Sequence, residues 1–506
     1  MSMSIRIPLG VNQFIFEKNH ERSEIVLDLA KAANPHLMMM GGSGAGKTHR
    51  LRKLVESAVI ATGGKVRFHV FDRHGDIRCK YESSLLFSQS TEYGFNPLEV
   101  NPDPHFGGPR KQINKFISGV ERMSKQLGSR QLPLLRMLLE DLYLAHGYDQ
   151  DDPSTWIPDD PHTVRAKLLG KEHQQFVDVL FHQKEAFKEM LKAAGARGSF
   201  DRDIGCWWIH KDDYKGDLLL WPAKNPFKTS PTLSDAVEYS RRMLESAYLG
   251  VNSAAANRLN DLNRLVAAFH RRCEENAKQG RATNDGQEAP PEKIQEAKGK
   301  AIEAVKAYLD SVQTGRELDE VLKCRSFDVM QAVHERLLGI KAMGFLRDNP
   351  PPFDPNAPVW RYRLPALEGD EQQLFVHYVM NQIYDRAMQR GETDHVVEVV
   401  VLDEAEIFFS DDDDNIVDKF AREIRKFGVG LWVSSQGPKD FSEAFITNVA
   451  TKIVMALDDN FAQYAVSKLN IKRDTLKYVV PRKNALVQMK ISGEVQGGFI
   501  RTLFES

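Results

Sequence analysis

The residues most suited to chemistry lie in one short stretch, Gly41, Gly42, Ser43, Gly44, Ala45, Gly46, Lys47 and Thr48. Glycines at this density let a backbone wrap closely enough for its N–H groups to point at phosphate oxygens. Lys47 would then set a charge on the β- and γ-phosphates, and the Thr48 hydroxyl would ligate Mg²⁺. The apolar run Leu37-Met38-Met39-Met40 precedes the stretch, and a helical pattern from His49 to about Ala61 follows it. A strand feeding a glycine loop that opens a helix adds the positive end of the helix dipole to the site. A flexible glycine turn would not need that context, so the stretch is read as a phosphate-binding loop with ATP and Mg²⁺ as its expected ligands.

A second stretch, Val399-Val400-Val401-Leu402-Asp403-Glu404, delivers two carboxylates at the end of a strongly apolar strand. A strand this hydrophobic is buried on both faces, so its acids emerge at the sheet edge. Asp403 is expected to hold Mg²⁺ together with Thr48, and Glu404 to orient and deprotonate an attacking water. Taken alone, acids after an apolar run would also suit a helix cap; the upstream phosphate loop decides for catalysis. Gln436 ends the next apolar run, Val429 to Ser435, where an uncharged amide can sense a γ-phosphate without repelling it. Arg422, Arg425 and Lys426 come just before that run. Phosphoryl transfer gains from a cation reaching the developing charge, often from a neighbouring subunit; a solvated helix face explains these charges equally well. The run Asp411 to Asp414 reads as a solvated loop rather than a metal site.

The elements that must position these groups come from both ends of the chain. Ile5-Arg6-Ile7 and Glu24 to Asp28 read as a lead-in hairpin over residues 1–33. The first part of an ATPase core is expected over 34–110, with a second buried strand at Val66 to Phe71 that ends in Asp72-Arg73-His74-Gly75-Asp76. Open α/β sheets bind ligands at such strand ends. From 111 to 325 the pattern changes to long amphipathic segments, Gln131 to His146, Lys171 to Ala193 and Leu233 to Arg271, with a small hairpin expected around Cys206 to Ile209 and Leu218 to Trp221. The polar stretch Glu274 to Glu292 is expected to be a mobile connection between helices. Strand signals return in 326–506, at Val359 to Leu364, Val396 to Leu402, Val429 to Ser435, Lys452 to Leu457 and Ala485 to Met489. The fold class expected is α/β: a mainly parallel sheet split in sequence by a large, mostly α-helical insertion.

With 68 Lys and Arg against 70 Asp and Glu in 506 residues, contact with nucleic acid must come from a local basic surface rather than an overall field. The 4 cysteines lack metal-site or disulfide-framework spacing, which fits a reducing cytosol. No stretch approaches the roughly 18 apolar residues a membrane helix needs, so no direct membrane insertion and a cytoplasmic location are expected.

Asp72-Arg73-His74-Gly75-Asp76, Asp403-Glu404-Ala405-Glu406 and Arg425 to Gly430 leading to Ser435-Gln436 resemble the HerA/FtsK superfamily of ring-forming DNA-pumping ATPases. The His-Gly pair followed by an acid is closest to the HerA branch, and Pro35-His36-Leu37 is similar to FtsK. A helical domain between the two nucleotide motifs resembles conjugative coupling proteins and other type IV secretion ATPases. The resemblance covers roughly the first hundred and the last hundred and fifty residues. It implies a RecA-like P-loop core, a homo-oligomer in the form of a hexameric ring, ATP hydrolysis at subunit interfaces and double-stranded DNA in the central channel. By position it gives Lys47, Thr48, Asp403, Glu404 and Gln436 the roles above, and makes Arg425, then Arg422, the arginine that acts in trans. The function expected is an ATP-driven motor on double-stranded DNA. Two alternatives are a hexameric platform that assembles with and regulates a nuclease or other effector in phage defence, and a cytoplasmic conjugation or secretion ATPase.

Overall fold

The computed structural model describes the chain except for residues 1–4, 124–127, 178, 180–183, 217, 219–220, 222–223, 250–252, 279–291, 312–326, 410–415, 496 and 505–506. Two compact units result. The first comprises Met1–Pro97, Ser118–Gln126 and Ala342–Ser506, and the second Leu98–Ile117 and Leu127–Lys341. The second unit is therefore wider at both ends than the expected 111–325.

In the first unit the strands are β1 (Arg6–Asn12), β2 (Glu24–Asp28), β3 (Leu37–Met40), β4 (Arg67–Asp72) and β5 (Glu82–Leu86); the second unit supplies β6 (Gln174–Val177), β7 (Gly198–Asp201) and β8 (Cys206–His210); and the first resumes with β9 (Val359–Arg363), β10 (Glu398–Leu402), β11 (Val429–Ser435), β12 (Thr451–Val454), β13 (Asn484–Met489) and β14 (Ile500–Leu503). The first unit is built on one 11-stranded sheet, in the order β2-β1-β14-β13-β12-β3-β11-β10-β4-β9-β5. From β12 to β5 every neighbouring pair is parallel. The remaining strands extend the sheet antiparallel. Strands β3, β10, β11 and β12 are buried along their whole length, which is why β3, β10 and β11 are dominated by apolar residues instead of alternating apolar with polar positions.

Register sets the site. Met40 pairs with Ser435 and with Val454, while Leu402 pairs with both Val433 and Phe71. The residues that follow β3, β10, β11 and β4, namely Gly41, Asp403, Gln436 and Arg73, thus leave the sheet along one edge.

Helix α2 (Lys47–Thr62) follows the glycine loop and covers one face of the sheet. It buries Leu51, Leu54, Val55, Ala58 and Val59 against Met39, Phe68, Val70, Val399 and Val401. Each large apolar side chain so buried contributes about 1.5–3 kcal/mol, and a 16-residue helix depends on that contact because alone it would be marginal. The helix Gly369–Arg390 buries Phe375, Val379 and Ile383. Phe375 lies among Phe71, Phe87, Phe95 and Tyr362, with ring centroids 4.6–6.2 Å away.

The lead-in strands do pair antiparallel, Ile7 with Leu27, yet they are no separate hairpin. Helix α1 (Gln13–Asn19) lies between them, and β1 joins the main sheet through β14. The contact is close at Gly10, where φ is +145° and an added Cβ would lie 2.2 Å from the Leu503 carbonyl oxygen.

In the second unit the helices include Gln131–Ala145, Leu233–Leu249, Ser253–Lys278, Glu292–Ser311 and Phe327–Ala342, the last ending one residue past the unit boundary. Two expectations change here. Among its described residues, the segment read with helical spacing from Lys171 to Ala193 instead contains strand β6 and a helix over Lys184–Ala193. Cys206–His210 pairs with β6 and β7 in a three-stranded antiparallel sheet, and of the expected partner Leu218 to Trp221, residues 219–220 lie outside the described residues. The polar stretch from Glu274 is helical as far as Lys278, and its centre lies outside the described residues, as do Asp411 to Asp414. Among the described residues no helix is long and apolar enough to cross a membrane.

Candidate active site

The loop from Gly41 to Gly46 is held by backbone bonds to the end of β11 and to the segment just after β12. Gly41 N–H donates to the Ser435 carbonyl at 3.2 Å and Gly42 N–H to the Ala456 carbonyl at 2.7 Å. Gly46, with φ +96°, turns the chain directly into α2, in a conformation that a side chain would strain. The Lys47 ammonium folds back on the loop and donates to the carbonyls of Gly41 at 2.7 Å and Gly42 at 3.3 Å. A phosphate group in the loop would offer it a better, charged acceptor.

Thr48 lies in the first turn of α2 and Asp403 directly after β10. The Thr48 hydroxyl donates to Asp403 Oδ2 at 2.7 Å. Asp403 is 6% exposed, and its other oxygen accepts from the Ser434 hydroxyl of β11 and, at 3.1 Å, from the Glu404 N–H. A buried carboxylate oriented on both oxygens beside a hydroxyl suits a hard cation that keeps waters and phosphate oxygens as its other ligands. The donor set therefore fits Mg²⁺ shared with a nucleotide. Among the described residues no group of three or more His, Cys, Asp or Glu side chains could hold a metal alone.

Glu404 adopts a left-handed backbone, φ 51° and ψ 51°, which is uncommon for a residue with a side chain. Its carboxylate accepts from Arg73 at 3.2 Å and from His74 Nε2 at 2.5 Å. Arg73 is itself aimed by a bond from its Nε to Gln372 Oε1 at 2.9 Å. The preceding Asp72, fully buried, accepts from the N–H groups of Gly75 and Asp76 and from Arg361. Burial raises its pKa, and those bonds oppose the rise.

Gln436 is exposed at the end of β11, next to the Ser435 carbonyl that holds Gly41. The Ser435 hydroxyl lies 2.7 Å from Glu406 and 2.6 Å from Asp440. One hydroxyl hydrogen cannot serve two carboxylates, and Asp440 already accepts from the Gly437 N–H at 2.9 Å. Burial, with the nearby charges of Asp440 and Glu404, pushes the Glu406 pKa up, which suits a shared proton.

The structure therefore brings Lys47, Thr48, Asp403, Glu404 and Gln436 to one edge of the sheet and leaves Arg425 and Arg422 away from it. Both arginines are exposed and precede β11, whose 7 residues rise about 3.3 Å each, so about 20 Å separates Arg425 from the loop edge. Arg425 donates to the Ala33 carbonyl at 3.1 Å, and Arg422 to the Asp418 carbonyl of its own helix at 3.3 Å. Ser434 as a partner of Asp403, and Arg73 and His74 as partners of Glu404, went unread in the sequence. Arg73 and His74 do fall inside a stretch placed at a ligand-binding strand end.

Two family models match the chain, the FtsK/SpoIIIE family over residues 8–76 and the helicase HerA-like C-terminal family over 372–476. The DNA double-strand break repair helicase HerA of Saccharolobus solfataricus is 29% identical over 104 residues, which are 19% of this chain and 20% of that protein. HerA of Pyrococcus furiosus is 40% identical over 63 residues, 12% of this chain and 11% of its own length. The matched stretch thus spans a fifth or less of either relative. Among solved structures, VirB4 of Thermoanaerobacter pseudethanolicus superposes with a TM-score of 0.52 and 14% identity, covering 99% of this chain and 96% of that one. At that identity the likeness bears on fold alone, and the fold is the expected RecA-like P-loop α/β core.

Proposed function

From a P-loop ATPase core of the HerA/FtsK type, matched by family models on both sides of the insertion, we propose a motor that couples ATP hydrolysis to translocation or remodelling of double-stranded DNA, working as a hexameric ring. The observation that carries the hydrolytic part is the bond between Thr48 and Asp403, with Glu404 next in sequence. It joins the two motifs into one nucleotide site. Lys47 and the loop N–H groups bind the β- and γ-phosphates. Thr48 and Asp403 hold Mg²⁺, which when bound draws charge from the phosphate oxygens. Glu404 orients and deprotonates the attacking water, once released from Arg73 and His74. Gln436 reads the γ-phosphate.

Arg425 does not reach its own site, because the length of β11 lies between them. In a ring whose subunits pack the loop edge of one sheet against the opposite edge of the next, it is placed to complete the neighbour's site. The sequence-independent grip of such a ring on DNA comes from phosphate contacts and is salt-sensitive.

The testing experiment is the ATPase rate of the isolated protein with and without duplex DNA. A DNA-driven rise, abolished in Glu404→Gln and reduced by salt, supports the motor. A rate unmoved by duplex DNA that rises only with a partner protein supports the platform reading instead.

A further inference from the structure

The stretch between β12 and β13 also reaches the phosphate loop, through a residue that the hydrolytic scheme does not use. Arg482 sits in the left-handed region at φ 63°, where glycine or asparagine would be cheaper than arginine. Its backbone N–H donates to the Ala45 carbonyl at 3.2 Å, and its Nε approaches the Gly44 carbonyl at 3.4 Å. Its Cγ lies 3.2 Å from where a Cβ on Gly46 would stand, so the stem of the side chain rests on the loop itself. The turn that carries it is built rather than loose. Asn484, 3% exposed, donates to the Tyr478 carbonyl at 2.9 Å and to Gln13 at 2.7 Å, and accepts from the Val480 N–H at 2.6 Å. A backbone held in a costly conformation, with an exposed guanidinium on a phosphate-binding loop, points to a use for the side chain.

Strand order says which part of the nucleotide Arg482 meets. The loop follows β3; Asp403 and Glu404 follow β10, two strands to one side, and Arg482 precedes β13, two strands to the other. Strand β13 runs antiparallel to β12, so its start lies at the same edge as the loop. The carboxylates that would hold Mg²⁺ and activate water fix the γ-phosphate on the β10 side. The opposite flank is left for the α-phosphate and ribose.

We propose that Arg482 is a nucleotide-binding residue supplied by the same subunit, contacting the α-phosphate and ribose end common to ATP and ADP. This rests on the reading of the loop as a nucleotide site. It makes a cation of the loop's own subunit serve affinity, and leaves transition-state charge to an arginine from the neighbour.

The test is calorimetric titration of the full chain with Mg·ADP and with a non-hydrolysable ATP analogue, in wild type, Lys47→Ala, Arg482→Ala, Arg482→Gly and Arg482→Lys. Arg482→Ala and Arg482→Gly are expected to weaken both nucleotides about tenfold, as loss of a charge-assisted bond does, and Arg482→Lys to recover part of that loss. In steady-state hydrolysis the loss falls on KM more than on kcat. Arg482→Gly suits the left-handed backbone, so its nucleotide-free melting temperature should match or exceed wild type, separating lost contact from lost fold. Wild-type affinity in Arg482→Gly, alongside a Lys47→Ala protein that no longer binds, would overturn the assignment while leaving the nucleotide site standing. Weakening of the ATP analogue alone, with ADP unchanged, would overturn the placement at the α-phosphate. No binding by wild type would overturn both readings.

Discussion

Thr48 and Asp403 are separated by 355 positions in the chain, and their side chains meet at 2.7 Å. The contact forms because β3 and β10 flank β11 in register, so the loop after one strand and the acid after the other share an edge. It ties nucleotide affinity to Mg²⁺. Asp403→Asn keeps the shape and a hydrogen-bonding oxygen but removes the charge. ATP affinity of wild type should drop by about tenfold or more when Mg²⁺ is chelated, and affinity of Asp403→Asn should hardly respond. Equal Mg²⁺ dependence in the two proteins would remove Asp403 from the metal.

Glu404→Gln should bind ATP at near wild-type affinity and lose turnover by about 10²–10⁴-fold, since an amide cannot accept the proton of the attacking water. Lys47→Ala should fail earlier, at binding. Single-turnover hydrolysis at saturating ATP separates the two, and a Glu404→Gln rate near wild type would assign the base elsewhere.

Arg425→Ala should bind ATP normally and lose about 10³-fold or more in turnover, by analogy with arginine fingers in trans. Mixing it with Glu404→Gln subunits, after verified subunit exchange, tests the ring directly. An Arg425→Ala subunit keeps its own Glu404 and borrows the arginine of a Glu404→Gln neighbour, so two nearly inactive proteins should regain activity together. Mixing ratios rich in either variant cover a ring whose sites must fire in order; no recovery at any ratio would return Arg425 to the role of a surface charge.

Acid should unfold the sheet unit partly through His69 and Glu398. His69 is 1% exposed; it accepts from the Tyr362 hydroxyl at 3.0 Å and donates to Glu398 at 3.1 Å, while Arg390 donates to the other Glu398 oxygen at 2.5 Å. Burial lowers the His69 pKa against the pull of Glu398, so below the ordinary value of 6.5 the unfolded chain takes up a proton that the folded one refuses. Burial opposes the charge on Glu398, but the His69 bond and the arginines outweigh it and hold its pKa at about 2. Its contribution is complete above the ordinary 4.5 and is lost as pH falls through about 2. Denaturant titrations of wild type should therefore show stability falling from about pH 6.5 and again below about 4.5. Glu398→Gln should cost about 3–5 kcal/mol at pH 7 and lack the second fall. A constant offset between the two proteins down to pH 3 would contradict this.

The parts legible in the sequence were those written locally. Glycine density before Lys47, unbroken apolar runs ending in Asp403 and in Ser435, and a change of period after Pro109 need no tertiary knowledge. What escaped depends on partners far away. Gln174 to Val177 lies in a segment that reads as helical, and is a strand because Cys206–His210 lies beside it. Glu404 reads as a free base, and is paired because β4 ends beside β10 and brings Arg73 and His74 with it. Arg482 stands in a polar turn with nothing nearby in sequence to mark it; only the antiparallel course of β13 carries it to Ala45.

Strand β3 is hydrogen-bonded on one side to β11 and on the other to β12, so both strands that support the phosphate loop come from residues 429–454, and Ala456 follows just after them. A chain leaving the ribosome at about 5–20 residues per second carries Lys47 for roughly 20–80 s before either support exists. During that interval the glycine loop has no sheet to anchor it, and the apolar Leu37 to Met40 has no ladder to join. Nascent chains halted short of Val429 should fail to hold ATP however well the early segments collapse. Nucleotide capture would then follow the synthesis of β11 and β12, and the window before it is when a chaperone has most to do.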